Sequence, residues 1–462
     1  MPPWRLGYLD LKRNSAANDY NRRMTDHQRA RERLRLGLLI CIHIVVCCVS
    51  LVYVARYRFP VAFFPPTFHI FFDPSRWYVA VAVVAVFALV AVLFVRAGFT
   101  FGYFAGFYFY TMVLGYLWLN CFTDLTYDHR SAALSAAASA VAFLLPALFI
   151  SSPVRQIGTM TAKSFDRLLT SILILGIATI AIGALYNFQL VGLAEMQEYR
   201  AKLDAPTSVN YLVTMVSTAL LPYALAGFVA TKAHRRAVAV LALLMLFYPI
   251  TLNKTVLFAP LWLVNLLVLS KLFEARVAVI LSLLTPVVAG LALIILFGSQ
   301  AALYFATVNF RMIAIPSVAI DVYNDFFSRH DLTYFCQISP LKRIMQCPYQ
   351  DQLSVVMQRN YQLGYFNASL FATEGIASVG TLFAPVAVFL CGLVVALGNR
   401  LSAGLPPAFI LISGALLPPV LLNVPLTTVL LTHGAGFLFL LWYVTPRSIF
   451  APNTDPQMTV PA

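Results

Sequence analysis

The feature that most constrains this chain is a series of apolar blocks, each about 17 to 24 residues long, along nearly the whole sequence. An α-helix of that length crosses a hydrocarbon core of roughly 30 Å. Hydrophobic residues make up 60% of the 462 residues and charged residues 11%, whereas about a quarter of the residues in soluble domains are charged. The sequence therefore predicts an all-α, polytopic integral membrane protein.

About twelve membrane-spanning helices are predicted from these blocks. Two of the blocks are separated only by Leu252, Asn253, Lys254 and Thr255, so we expect a tight hairpin with Lys254 at its tip. The predicted spans are 36–55, 77–96, 100–121, 132–151, 168–189, 209–231, 237–251, 255–271, 276–297, 374–398, 405–423 and 427–445.

The positive charge is arranged as in a membrane protein. The formal net charge is +14, but Lys and Arg concentrate in the N-terminal tail and in short loops, which favours membrane orientation over nucleic-acid binding. The basic tail precedes an apolar run without a small-residue cleavage site, so we expect an uncleaved first span. Alternation then predicts that both termini are cytoplasmic. The basic loop 56–76, predicted outside, departs from this rule.

Five regions follow: a basic cytoplasmic tail (1–35), spans 1–9 (36–297), a large extracytoplasmic loop (298–373), spans 10–12 (374–446) and a cytoplasmic tail (447–462). The loop gains polar residues but keeps aromatic ones, which either stack on sugar rings or anchor at the membrane interface. Helical spacing over residues 313–327 predicts an amphipathic helix along the membrane surface. The aromatic residues are Tyr304, Phe310, Tyr323, Phe326, Phe327, Tyr334, Phe335, Tyr349, Tyr361, Tyr365 and Phe366.

Cys336 and Cys347 lie in this loop and would face an oxidising compartment, so a disulfide is predicted, with two free thiols as the alternative. The other cysteines lie in or beside apolar blocks, and no metal-binding spacing occurs. We predict no metal and no cofactor.

Arg311 is a candidate phosphate ligand, because an interfacial guanidinium grips phosphate with two hydrogen bonds; snorkelling is the alternative. Glu374 begins a span, where it is either a charge at a helix N-terminus or a site carboxylate facing a polar cavity. Most of the remaining charged residues of the loop are expected to be solvated. The full set is Asp321, Asp325, Arg329, His330, Asp331, Lys342, Arg343, Asp351 and Arg359.

The layout resembles the Wzy-type oligosaccharide repeat-unit polymerases and the related O-antigen ligases from about residue 36 to 447. Those proteins have about a dozen spans, cytoplasmic ends and a large periplasmic loop between late spans. Three local features look like their pattern. They are Asn253-Lys254-Thr255; Asn309-Phe310-Arg311 followed by Ile315-Pro316 and Tyr323; and the small-residue run from Ala372 to Gly380.

The resemblance implies an enzyme of the bacterial inner membrane that joins polyprenyl-pyrophosphate-linked oligosaccharides on the outer face, for O-antigen, exopolysaccharide or capsule. A chain-length regulator and a flippase are implied partners. By resemblance Lys254 and Arg311 would hold the pyrophosphate, with Arg58 and Arg329 as further candidates. The base that activates the acceptor hydroxyl would be one of a set left open by the sequence. That set is His330, Asp325, Asp331 and Glu374.

Three alternatives stay open. A lipid-linked oligosaccharide flippase or other transporter would place charge inside its spans. A GT-C type glycosyltransferase usually carries an acidic motif in its first outer loop, where this chain has Asp73 among arginines. A structural membrane scaffold needs no catalytic group.

Overall fold

The computed structural model describes residues 4–56, 68–192, 195–196, 199, 203, 205–338, 341–363 and 368–450, and side chains from residue 28 onward except that of Arg343. The described residues form helices and their connections, without β-strands. The long helices are α1 (Trp4–Arg56), α2 (Trp77–Arg96), α3 (Phe101–Leu119), α4 (His129–Phe149), α5 (Ala162–Tyr186), α6 (Thr207–Ala230), α7 (His234–Thr251), α8 (Lys254–Leu272) and α9 (Ala275–Phe297).

The later helices are shorter or interrupted. They are α10 (302–327, joining Ala302–Phe305, Ala306–Ala314 and Ile315–Phe327), α11 (Leu353–Tyr361), α12 (Phe371–Ser402), α13 (Pro407–Ser413), α14 (Leu417–Leu421), α15 (Leu426–Leu431) and α16 (Ala435–Val444). Short 3₁₀ turns cover Gly298–Ala301, Leu341–Arg343 and Arg447–Phe450.

Within the described residues, nine helices are long and apolar enough to cross a membrane, which confirms the polytopic class but not the predicted count of twelve. The predicted span 100–121 forms as α3 but is not among the nine. The predicted spans 405–423 and 427–445 are each divided into two short helices. The first division falls at residues 414–416, directly before the short helix that contains Pro418 and Pro419, and proline lacks the N–H that continues a helix. The second falls at residues 432–434, where Gly434 has a positive φ of 77°.

Helix α3 is the centre of the bundle, since all of its residues from Phe101 to Leu119 are buried. Its aromatic rings pack on several neighbours: Phe107 contacts Phe94 of α2 with ring centroids 5.5 Å apart, and Phe109 contacts Phe143 of α4 at 5.0 Å. At Gly102 a Cβ would overlap the carbonyl group of Ala147, so the close approach of α3 to α4 requires glycine.

The bundle has two chemically different ends. At the basic end Arg276 donates to the Ala97 carbonyl over 3.3 Å, and Arg400 donates to the Ser152 carbonyl over 3.1 Å. The opposite end, which we call the distal end, carries the loop 120–128, Asn253 and Ser328. The positive-inside rule predicts that the basic end is cytoplasmic and that the distal end is extracytoplasmic.

The predicted loop 298–373 begins as helix, because α10 continues directly from the 3₁₀ turn after α9. Asn309 of α10 donates to Ser50 Oγ of α1 over 3.0 Å and to the Val287 carbonyl of α9 over 2.9 Å. Every residue of the segment Ile315–Phe327 is buried. The prediction of a helix over 313–327 is confirmed, but its place on the surface is wrong, since the segment packs between α3 and α12.

Helix α12 is a hairpin of two unequal arms. Gly380 has a positive φ of 76°, which suits glycine, and reverses the chain. The short arm places Phe371 against Phe109, the middle residue of α3, with ring centroids 4.9 Å apart. The tip of the hairpin lies at the distal end, where the Thr381 carbonyl accepts a hydrogen bond from Ser135. The arm Phe371–Ala377 therefore enters the bundle from the distal end and returns to it.

Candidate functional site at the distal end

Lys254 and Arg311, far apart in sequence, meet at the distal end. The predicted hairpin before α8 is confirmed: Leu252 adopts a left-handed conformation with φ of 45°, and the Asn253 side chain caps α8 by accepting the Thr255 N–H over 2.9 Å. Lys254 is therefore the first residue of α8, and its charge is close enough to Arg311 for the two to repel each other. Both residues are exposed.

Two mechanisms hold this pair of cations in place. Asn309, two residues before Arg311, is fully buried and fixed by its hydrogen bonds to α1 and α9. Phe310 packs edge-on against Phe68, which lies between α1 and α2, with ring centroids 5.0 Å apart. The backbone directly before Arg311 is therefore fixed. Fixed like charges of this kind favour an anion between them.

A small cleft lies directly below the Lys254 turn. Hydroxyl groups of Ser217, Thr218 and Thr255 line it together with apolar side chains. Ser217 and Thr218 belong to Val216–Leu220, a π-helical segment of α6, and such segments are frequent at functional sites. Neither Lys254 nor Arg311 lines this cleft, which has room for no more than about one water molecule.

The second polar cluster is built around two carboxylates on α10. Asp321 and Asp325 are both buried, so the prediction that they are solvated is wrong. Asp321 accepts hydrogen bonds from Thr123 Oγ1 over 2.8 Å and from the Tyr127 hydroxyl. Asp325 accepts the Thr126 N–H over 3.2 Å. The two carboxylates therefore hold the loop 120–128 against α10.

Asp325 also binds the loop that follows α10. Its Oδ2 accepts the Tyr361 hydroxyl over 2.6 Å and forms an ion pair with Arg329, one turn later on the chain. Both oxygens of Asp325 are thus occupied, which makes it a poor candidate for the base. The Asp325 carboxylate neutralises the Arg329 guanidinium, so Arg329 brings no excess positive charge to a pyrophosphate.

The tyrosines of this cluster act as neutral donors. Burial, followed by the neighbouring Tyr116 and Asp321, raises the pKa of Tyr127 far above its usual range. Burial and the hydrogen bond to Asp325 likewise raise the pKa of Tyr361. Both phenols therefore stay protonated at physiological pH and keep donating to the carboxylates.

His330 lies one turn beyond this cluster and is exposed. Its ring stacks on Phe326 with centroids 3.9 Å apart, and its Nδ1 lies 2.8 Å from the Phe326 carbonyl oxygen. A carbonyl accepts only, so Nδ1 carries the proton and Nε2 of the neutral ring is free to accept one. The end of α10 at Phe327 lies sixteen residues after Arg311, about 24 Å along the helix, so His330 is too far from Arg311 to act on a sugar whose diphosphate Arg311 holds.

Glu374 lies in the short arm of α12 and is buried. Its Oε1 accepts the Thr427 N–H over 3.1 Å and the Thr427 hydroxyl over 3.3 Å, and its Oε2 accepts Thr373 Oγ1 over 2.6 Å. The carboxylate therefore caps the N-terminus of α15 from another helix, where the helix dipole favours a negative charge. Two roles were predicted for Glu374, a charge at a helix N-terminus and a site carboxylate. The structure supports the first role, at the N-terminus of α15.

Cys336 and Cys347 form the predicted disulfide, with Cα atoms 5.4 Å apart. Beside the loop that this disulfide closes, the Tyr349 hydroxyl donates to the Asp331 carbonyl over 2.7 Å. The further candidate Arg58 lies outside the described residues. Within the described ranges, no group of three or more His, Cys, Asp or Glu side chains is placed to hold a metal ion.

The distal end thus carries two clusters: the cation pair Lys254 and Arg311, and the carboxylate network of α10 with His330 beside it. The sequence analysis missed the role of Asp321 and of its partner Tyr127. The signal was present, because Asp321 and Asp325 are spaced four apart and share one face of a helix whose other positions are mostly apolar.

The fold defines the class of this chain: it is a polytopic helical membrane protein. Comparison with protein-family models, with curated proteins and with solved structures finds no match.

Proposed function

We propose that this chain polymerises lipid-pyrophosphate-linked oligosaccharide repeat units at the outer face of the bacterial inner membrane. The observation that carries the proposal is that Lys254 and Arg311 lie close enough for their charges to repel each other, at the end of the bundle predicted to be extracytoplasmic. Two cations at such a distance suit the diphosphate of a lipid-linked sugar.

The chemistry is a glycosyl transfer between two lipid-linked chains. A hydroxyl oxygen of the acceptor attacks the anomeric carbon of the donor, the bond from that carbon to the diphosphate oxygen breaks, and the diphosphate leaves with the electron pair. Lys254 and Arg311 stabilise the negative charge that grows on the leaving group. The proton of the attacking hydroxyl passes to water at the outer face, because the end of α10 at Phe327 lies sixteen residues after Arg311, about 24 Å along the helix, and His330 lies beyond that end. The buried carboxylates of α10 position the helix that bears Arg311.

The test is complementation of a deletion strain, with polysaccharide length as the readout. Replacing Arg311 or Lys254 by Ala should slow chain extension by about 100- to 1,000-fold, the usual loss when one preorganised charge-stabilising donor is removed. Arg359→Ala is the matched control, because Arg359 is an exposed distal-end arginine in a surface ion pair with Asp351. The proposal fails if the Arg311 and Arg359 variants, inserted in equal amounts, give the same chain length.

A lipid-linked oligosaccharide flippase is the second candidate, and one observation favours it. Asp321, Asp325 and Glu374 are carboxylates buried within helices, as a transport pathway requires. Loss of a polymerase should leave single repeat units on the final acceptor, whereas loss of a flippase should trap lipid-linked units on the cytoplasmic face. The location of the accumulated units in the deletion strain therefore separates the two functions.

A further inference from the structure

Among the aromatic residues of the predicted loop that the structure describes, Tyr334 stands out by its exposure. Phe310, Tyr323, Phe326 and Phe327 are buried, and several others are half-buried. Tyr334 is 60% exposed, against 37% for Tyr304. The sequence leaves two roles open for these aromatic residues, sugar stacking and interfacial anchoring. The exposed ring of Tyr334 allows the two roles to be compared.

The backbone of Tyr334 is held in an unusual conformation. Tyr334 and Phe335 have positive φ angles of 46° and 65°, which bulky residues rarely adopt and which persist only where the surroundings enforce them. The surroundings here are the tip of the α12 hairpin: the Thr333 N–H donates to the Ala377 carbonyl over 2.8 Å, and the Tyr334 N–H donates to the Ser378 carbonyl over 3.2 Å.

Further contacts on both sides make the turn rigid. Leu332 packs over Gly380 at the hairpin tip, and Cys336 is joined to Cys347 by the disulfide. The chain is thus fixed immediately before and after Tyr334 while the ring itself projects outward. A rigid, exposed aromatic ring binds a flat partner at a low cost in conformational entropy.

The surroundings of the ring favour a hydrated partner over acyl chains. Arg329, His330 and Asp331 are exposed and lie within five residues of Tyr334. Charged groups such as these would lose their hydration if this surface entered the bilayer core. A pyranose ring offers an apolar face for stacking and hydroxyl groups that remain hydrogen-bonded to water or to the neighbouring side chains.

Tyr334 lies seven residues after the end of α10, at the distal end of the bundle, where the sugars of a lipid-linked acceptor would extend away from the membrane. We propose that Tyr334 is a stacking platform for a pyranose ring of the acceptor oligosaccharide. This inference rests on the proposed function and names its acceptor subsite.

The test compares four variants of Tyr334 in the full-length protein in detergent. The probe is the lipid-free oligosaccharide repeat, released by mild acid from the host's own surface polysaccharide and titrated by saturation-transfer NMR. Tyr334→Phe and Tyr334→Trp should bind like the native chain. Tyr334→Leu and Tyr334→Gly should bind about 2- to 12-fold more weakly, the range for one aromatic contact.

Each variant has a defined purpose. Glycine suits a positive φ, so Tyr334→Gly removes the ring without straining the turn. Leucine keeps an apolar side chain but has no ring. If Tyr334→Leu retains native probe binding and native chain length, Tyr334 acts as an interfacial anchor and the stacking role is overturned. Tyr304→Leu is the matched control at another exposed tyrosine. Thiol alkylation should show an intact disulfide in every variant.

The two proposals fail in different ways. If the Gly and Leu variants bind the probe like the native chain while Arg311→Ala abolishes long chains, the acceptor subsite is wrong and the polymerase stands. If the native chain binds no probe and its deletion leaves the polysaccharide unchanged, the polymerase proposal falls and the subsite with it.

Discussion

Replacing Asp321 by Ala should strongly destabilise the distal end. The Asp321 carboxylate accepts hydrogen bonds from the Thr123 and Tyr127 hydroxyls, and its side chain is buried. A buried donor left without a partner costs about 1 to 3 kcal/mol. Thr123 and Tyr127 are half-buried, so water partly replaces the lost acceptor, and the two donors together predict a loss of about 1 to 3 kcal/mol in the free energy of unfolding. Asp321→Asn keeps one acceptor and should lose about half as much.

The matched control is Asp351→Ala. Asp351 forms its ion pair with Arg359 at the surface, with 44% of the Asp351 side chain exposed, and such pairs contribute about 0 to 1 kcal/mol. Thermal unfolding in detergent can be followed with a thiol-reactive dye, because Cys47 and Cys391 are buried and react when the bundle opens. Equal midpoints for the Asp321→Ala and Asp351→Ala variants would refute the view that Asp321 holds the loop 120–128.

Three further predictions follow from other contacts. Gly290→Ala should destabilise the bundle by about 1 to 3 kcal/mol in the same assay, because the added Cβ would overlap the amide oxygen of buried Asn309; native stability would contradict this packing. Glu374→Ala should cost about 1 to 3 kcal/mol, because it leaves the Thr427 N–H at the start of α15 without its acceptor, and Glu374→Gln should cost less; equal losses would argue against the cap. A cysteine at Ile344, which is 82% exposed, should react with a membrane-impermeant maleimide in intact cells; reaction only after permeabilisation would place the distal end in the cytoplasm.

Local sequence signals were sufficient where one physical term dominates. The turn at Asn253 was predictable, because a short polar interruption between two apolar blocks must turn, and an asparagine before α8 supplies the cap. The disulfide between Cys336 and Cys347 was predictable from their compartment and proximity in the chain. The helix over 313–327 was predictable from its period, but its burial was not, because periodicity does not show how many neighbours surround a helix.

Contacts between distant segments could not be read from the chain. Arg329 was a candidate for binding pyrophosphate and Asp325 a candidate for the base. Their ion pair removes the free charge that each of these roles needs. Glu374 was recognised as a costly charge in an apolar region, and only the structure shows Thr427 of another helix as its partner. The last two predicted spans divide at residues 414–416 and 432–434, and the hydrophobic pattern does not show the left-handed conformation of Gly434 at the second break.

The sequence by itself determined that this protein is helical, apolar and built to cross a membrane, because the length and hydrophobicity of each block decide that locally. It also determined which groups carry positive charge at the ends of those blocks. The tertiary structure alone decided that Lys254 and Arg311 meet, that the carboxylates of α10 are buried, and that Tyr334 projects from a rigid turn. These features depend on how helices far apart in sequence pack together. The hydrophobic periodicity of a single segment does not reveal its packing partners.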